Sequence, residues 1–240
     1  MPTTVSDDFA QRQERYTTSR RFIRDVLLRG IAFHLLVRVE VNGQEHIPAS
    51  EPTILIFNHI NGIDPAIILG VVGPRFVVAM SKIENFRVPV VGWLMRWWGM
   101  FPVRRGEVDR TALQNAVNLL KAGNIVLMAP EGTREPKLSE GKDGITYVAL
   151  KASAAILPCG IEGTREFLHN LKRLRRTRVS VTFGPAFKFR ANGERTVTHD
   201  DRSHLTHEAM YQLARLLPEQ RRGYYEDLTK ATTEKIEFLA

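Results

Sequence analysis

Cysteine is almost absent from this chain of 240 residues; Cys159 stands alone. A single thiol excludes an internal disulfide framework and a thiolate zinc site. Its place in an apolar run reads as a small buried hydrophobe. Long apolar runs are missing too. No uninterrupted stretch reaches the roughly 20 residues that cross a bilayer as a helix. The polar N-terminus lacks the apolar core and small-residue cleavage site of a secretory signal. The Gly-x-Ser-x-Gly elbow of a hydrolase nucleophile does not occur, and no helix-turn-helix, finger or RNA-binding signature is present. Acidic residues are the last shortage: 34 Lys and Arg face 26 Asp and Glu, a net charge of +8. That balance favours an anionic partner, whether a phospholipid surface, a phosphorylated substrate or nucleic acid. The remaining composition, 43% hydrophobic and 25% charged, suits one α/β domain with terminal additions.

One stretch organises the rest. Ile54-Leu55-Ile56-Phe57 is apolar and rich in β-branched residues, and it stops at Asn58-His59. A Gly-containing turn leads to Asp64-Pro65 and then to the apolar segment Ala66 to Val72. This reads as buried strand, loop and helix, with Pro65 in the first turn and Asp64 at the N-cap. His59 would then leave the carboxyl end of a strand, where open α/β sheets place their chemistry. Two readings fit the spacing. Asp64 orients His59 as a general base, or Asp64 only caps its helix and His59 is a loop residue.

Further strands are expected at Arg75 to Met80, Gly99 to Val103, Ile125 to Ala129, Ala155 to Ile161 and Val179 to Phe183. Phe86 to Trp98 is an aromatic-rich stretch interrupted by Val88-Pro89 and Gly92, read as core packing or as an apolar wall or headgroup-level anchor. Helices are expected over Asp109 to Lys121, Lys142 to Lys151 and Asp201 to Leu217. The alternation predicts a mixed, largely parallel sheet flanked by helices. Residues 1–40 form an N-terminal segment, 41–190 the main domain and 191–240 a helical tail. Arg20 to Leu35 places Phe22, Ile23, Val26, Leu27, Ile31 and Leu35 at helical spacing, with arginines interleaved. That fits a helix docked on the core or one lying in an anionic membrane interface. Arg104 and Arg105 follow a short extended segment, so one should face the site and the other away. An arginine there suits bidentate phosphate binding. Pro130-Glu131-Gly132-Thr133-Arg134 ends the next strand. Glu131 to Glu135 recurs letter for letter at Glu162 to Glu166, as coincidence or as a structural repeat. Leu171 to Arg178 is the densest basic run, a solvated face or an anion-binding one.

These blocks together resemble the glycerolipid acyltransferase family, especially the bacterial lysophosphatidate acyltransferases. Asn58-His59-x-x-x-x-Asp64, Gly99-x-Phe101-Pro102-Val103-x-Arg105, Pro130-Glu131-Gly132-Thr133-Arg134 and Leu157-Pro158-Cys159 occur in that order. Lys142-x-Gly144 and Phe183-Gly184-Pro185 also fit. The likeness runs from about Val41 to Pro185, and it departs at Ala129, where an aromatic is common, and at Glu135, where a Ser is common. The resemblance implies acyl transfer from acyl-CoA or acyl-carrier protein to 1-acyl-glycerol 3-phosphate, giving phosphatidic acid. Glycerol 3-phosphate or another lysolipid is the alternative acceptor, and a basic nucleic-acid-binding domain a distant alternative function. It maps His59 and Asp64 to a catalytic dyad and Arg105, with Arg104 beside it, to the phosphate. Glu131, Gly132, Thr133 and Arg134 fall in the acceptor-binding motif. It implies no metal and no cofactor beyond the acyl donor. It also implies peripheral or monotopic attachment, through the N-terminal helix, to the cytoplasmic face of the cell membrane.

Overall fold

Thr53–Phe57 is buried along its whole length, as an apolar run without polar alternation predicts for the middle of a parallel sheet. The computed structural model describes residue 10 and residues 13–104, 108–190 and 198–239. Among these, nine strands form one sheet: β1 (Val37–Asn42), β2 (Thr53–Phe57), β3 (Val77–Lys82), β4 (Phe101–Val103), β5 (Ile125–Met128), β6 (Ala155–Glu162), β7 (Thr177–Phe183), β8 (Phe187–Phe189) and β9 (Ile236–Phe238). The order is β1-β7-β6-β2-β5-β3-β4, with β8 paired to β6 and β9 to β8. Strands β2 to β6 run parallel, whereas β7 runs antiparallel to β6 and carries β1 parallel to itself. The carboxyl ends of β2 to β6 therefore share one edge with the amino ends of β7 and β1. The mixed, largely parallel sheet expected from the sequence is the sheet observed.

The two faces of β2 feed two cores. Ile54 and Ile56 join one hydrophobic cluster, Leu55 and Phe57 the other, because successive strand side chains point to opposite faces. Helix α1 (Asp64–Val71) and the end of α2 (Pro89–Trp98) cover the Leu55 face. Helices α3 (Arg110–Lys121), α4 (Gly144–Ala152) and α6 (His199–Ala214) cover the Ile54 face. Helix α5 (Phe167–Lys172) is short and connects β6 to β7. Boundary chemistry follows the sequence: Pro89 opens α2, and the side chain of Asp109 accepts from Ala112 N–H to cap α3. The edge opposite the carboxyl ends is closed by Arg75. Its guanidinium donates to the carbonyls of Pro48 and Glu51, in the loop before β2, and of Gly123, in the loop before β5.

The N-terminal helical run differs from the expected α-helix. It passes from an α-turn at Thr17–Arg21 into i→i+5 pairing over Phe22–Ala32 and back at Phe33–Leu35. Wider pairing shifts side chains off the 3.6-residue period, so the single apolar stripe splits. Ile23, Leu27, Leu28 and Phe33 pack on the core, while Phe22, Val26, Ile31 and Leu35 stay exposed. The run is tied to α2 by Ser19, whose hydroxyl donates to Trp97 O at 2.6 Å, and by Arg20. Arg20 is buried and donates to Trp98 O at 2.8 Å and to the Gln13 side-chain oxygen. Burial pushes its guanidinium down to about 10, so it remains charged at neutral pH.

The tail also carries more structure than its polar sequence suggests. Tyr225 is fully buried in the Ile54-side core, and its hydroxyl accepts from Gly141 N–H at 3.0 Å. Arg20→Leu leaves the Trp98 carbonyl buried without its donor, and should cost about 1–3 kcal/mol, read as a lower urea midpoint at unchanged slope.

Candidate active site

Strand β2 ends where the chain turns polar, and Asn58 extends it by side chain. Its amide donates to Ile161 O at 2.9 Å, and its oxygen accepts from Ile161 N–H at 2.8 Å. The loop is thus held against β6 at the residue before His59. His59 Nδ1 lies 2.9 Å from Asp64 Oδ2. The same oxygen accepts the backbone N–H groups of Ile60 at 2.7 Å and Asn61 at 2.6 Å. His59 is 3% exposed and Asp64 0%. Asp64 is the first residue of α1, but its carboxylate turns back over the preceding loop instead of capping its own helix. Of the two readings of the spacing, the oriented histidine is the one built. A carboxylate accepts, so Nδ1 donates and Nε2 carries the lone pair. The other oxygen, Oδ1, is buried and receives no hydrogen bond from a described residue.

The loop after β5 locks onto the same histidine. Glu131 is 2% exposed. One oxygen faces His59 N–H at 3.5 Å, and the other accepts from Ser139 N–H at 2.9 Å and Ser139 Oγ at 3.2 Å. Burial pushes this carboxyl up, offset in part by the Ser139 and His59 donors. Glu135 N–H donates to His59 O at 2.8 Å. Both backbone groups of His59 are therefore held by the Glu131–Glu135 turn. Ser139 was not legible as a partner, since eight residues separate it from Glu131 and no motif links them. Lys142 stands in the matched Lys-x-Gly block, and its N–H bonds Pro130 O at 3.0 Å.

A cavity of about 1610 Å³ opens along the carboxyl ends of the parallel strands, with His59 in its wall. Ile23, Leu69, Leu94, Met95, Trp98 and Met100 supply apolar lining from the N-terminal run, α1 and the α2 region. Arg104, Arg110, Arg134, Lys142 and Arg202 supply cationic lining. Gly132 also lines it and holds φ +73; a Cβ there would stand 3.0 Å from Lys142 Nζ, so glycine suits both backbone and neighbour. The Arg134 guanidinium lies beside Gly62 of the histidine loop. Glu131 and Thr133 do not line the cavity: the first is turned into the loop contacts and the second is exposed. Arg105 lies outside the described residues. Cys159 is fully buried and burial raises its thiol, which removes it as a nucleophile.

The second Glu-Gly-Thr-Arg-Glu copy leaves the same sheet edge, after β6. Gly163, like Gly132, has positive φ. Its glutamate does different work: Glu162 pairs with Arg221 at 3.2 Å.

A family model described as acyltransferase matches residues 38–162. The chain is 31% identical over 145 residues to the chloroplastic 1-acyl-sn-glycerol-3-phosphate acyltransferase LPAT1 of Arabidopsis thaliana, covering 58% of this chain and 40% of that one. It is 29% identical over 182 residues to the 1-acyl-sn-glycerol-3-phosphate acyltransferase of Streptococcus pneumoniae, covering 71% and 67%. The match thus spans less than half the length of the Arabidopsis relative. The crystal structure of the 1-acyl-sn-glycerophosphate acyltransferase PlsC from Thermotoga maritima aligns with a TM-score of 0.60 at 24% identity, covering 93% of this chain and 85% of that one. That likeness is one of fold.

Glu131→Gln replaces an acceptor oxygen with an amide N–H facing a donor. It should destabilise the protein by about 1–3 kcal/mol, measured by chemical denaturation. An unchanged midpoint would mean that the Glu131 contacts do not hold the loop.

Proposed function

The chain belongs to the acyltransferase family, and on that premise we propose that it transfers a fatty acyl group to the free hydroxyl of 1-acyl-glycerol 3-phosphate, giving phosphatidic acid. The observation that carries this reading is the buried His59–Asp64 pair in the wall of a cavity that is apolar on some elements and cationic on others. The acceptor and both acyl chains need the apolar lining, and the phosphate needs the cations. At about 1610 Å³ the cavity exceeds the usual 300–1,000 Å³ of a small-ligand site, as two long substrates require.

The mechanism follows from the geometry. His59 Nε2 takes the proton from the acceptor hydroxyl as its oxygen attacks the thioester carbonyl. Asp64 holds the ring through Nδ1 and stabilises the imidazolium. The tetrahedral intermediate collapses by breaking the carbon–sulfur bond, and His59 returns the proton to the departing thiolate. Arg104 and Arg134, with Arg105 from the matched motif, grip the phosphate. Glu131 acts on the histidine loop as a positioning residue. The donor is acyl-CoA or acyl-carrier protein, and no further cofactor takes part in these steps.

The setting we propose is an anionic membrane surface at the cytoplasmic face. No helix among the described residues is long and apolar enough to cross a bilayer. The exposed Phe22, Val26, Ile31 and Leu35 of the N-terminal run, with Val90 and Trp93 of α2, support contact with the interface. The family match leaves the nucleic-acid alternative without support.

Purified protein supplied with labelled acyl-CoA or acyl-carrier protein and a panel of lysolipid and glycerol phosphate acceptors tests the reading. Product from 1-acyl-glycerol 3-phosphate is expected, and activity confined to another acceptor would overturn it. His59→Ala should lose about 10²–10⁴-fold in kcat while folding normally; near-normal turnover would remove the histidine from its role. Arg105→Ala should mainly raise the acceptor KM. If Arg104→Ala does so and Arg105→Ala does not, the phosphate ligand is Arg104.

A further inference from the structure

We propose that the turn between α5 and β7 is a second membrane contact, in which Leu174 enters an anionic bilayer while Arg173 and Arg175 bind its headgroups. The backbone carries the first part of the argument. Arg175 N–H bonds Asn170 O at 2.9 Å and Leu174 N–H bonds Leu171 O at 3.0 Å. These two bonds end α5 as a Schellman motif, whose left-handed position glycine ordinarily fills. Here Leu174 occupies it, at φ 52. The strain gains nothing inside the protein, since Leu174 is 94% exposed. Leu168 and Leu171 of the same helix are also exposed, at 60% and 38%.

Position and charge supply the rest. Strand β7 runs antiparallel to β6, so the turn that precedes it overhangs the edge at which His59 leaves β2. The turn is fixed to the end of the N-terminal run, where Leu35 is exposed. Arg176 donates to Phe33 O at 2.8 Å, and Thr177 N–H donates to Leu36 O at 2.9 Å. Between Arg165 and Arg178 the chain has six Lys or Arg and one acidic residue, Glu166. An apolar tip flanked by arginines, on the sheet edge that also carries His59 and bonded to the end of the apolar N-terminal run, matches a negatively charged lipid surface. Two separated contacts would also fix the tilt of the cavity mouth over the bilayer.

The proposal deepens the proposed function, from which it takes the bilayer as partner. Its test is the partition of the full chain onto vesicles of mixed phosphatidylcholine and phosphatidylglycerol, read by sedimentation. Leu174→Gly relieves the left-handed strain, so its Tm should hold or rise. Its partition should nonetheless fall about tenfold, a partial loss of one buried leucine. Arg173→Gln and Arg175→Gln should each weaken partition about five-fold, with a shallower salt dependence. Unchanged partition in all three variants overturns the proposal. If partition is unchanged and the variants instead raise KM for acyl-carrier protein but not for acyl-CoA, the turn docks the acidic carrier and the membrane assignment falls. Partition is measured without turnover. An inactive but vesicle-binding wild type with weakened variants would therefore overturn the acceptor assignment and leave the membrane contact standing.

Discussion

Three donors converge on one oxygen of a carboxylate from which water is excluded, and the arrangement at the cavity rests on that convergence. Asp64 Oδ2 holds Ile60 N–H, Asn61 N–H and His59 Nδ1. A buried carboxylate left unpaired is costly, so these bonds form together or the loop does not adopt this shape. Two of the donors are backbone, so the carboxylate fixes the shape of the loop as well as the imidazole. The ring then has one favourable orientation, with Nε2 outward. Asn58 and Glu131 extend the same logic to either side, to β6 and to the β5 loop.

The bracing reaches beyond the loops. Tyr225 holds Gly141 N–H, and Leu138 is bonded at both backbone groups by Arg221 O and Tyr224 N–H. Leu138 and Gly141 flank Ser139, which holds Glu131, which faces His59. The C-terminal tail is thus the outermost link of a chain of contacts that ends at His59. The cavity-lining arginines Arg104 and Arg134 are exposed by comparison, which leaves their guanidinium groups free to reorient.

Much of this could be read from residues alone, and the failures have physical causes. Strands β2, β5 and β6 were legible because burial on both faces leaves an unbroken apolar run. Helix α3 was legible because Asp109 and Gly123 are boundary residues with a backbone reason to be there, whereas in α2 Pro89 and Gly92 read as interruptions although Pro89 opens the helix. Strands β8 and β9, of three residues each, are too short to show a period. The split face of the N-terminal run was hidden because the wider pairing has no signature in composition. His59 and Asp64 could be paired from five residues of spacing, but not distinguished from a cap until the carboxylate was seen facing backward. Glu131 was assigned with the acceptor motif because a motif names residues without saying which way they point.

Arg75 gives the molecule a second character. It ties its own loop to two others at the edge opposite His59, with β2, about 17 Å of strand at 3.3 Å per residue, between the two. Around Gly123, where a Cβ would meet nothing within 4 Å, that edge has room. The protein is therefore asymmetric in tolerance as well as in chemistry. A tag, a tether or an inserted loop beside Gly123 would load a stapled end a strand's length from His59, and the same addition near Asn58 would have to be accommodated by the His59 loop itself.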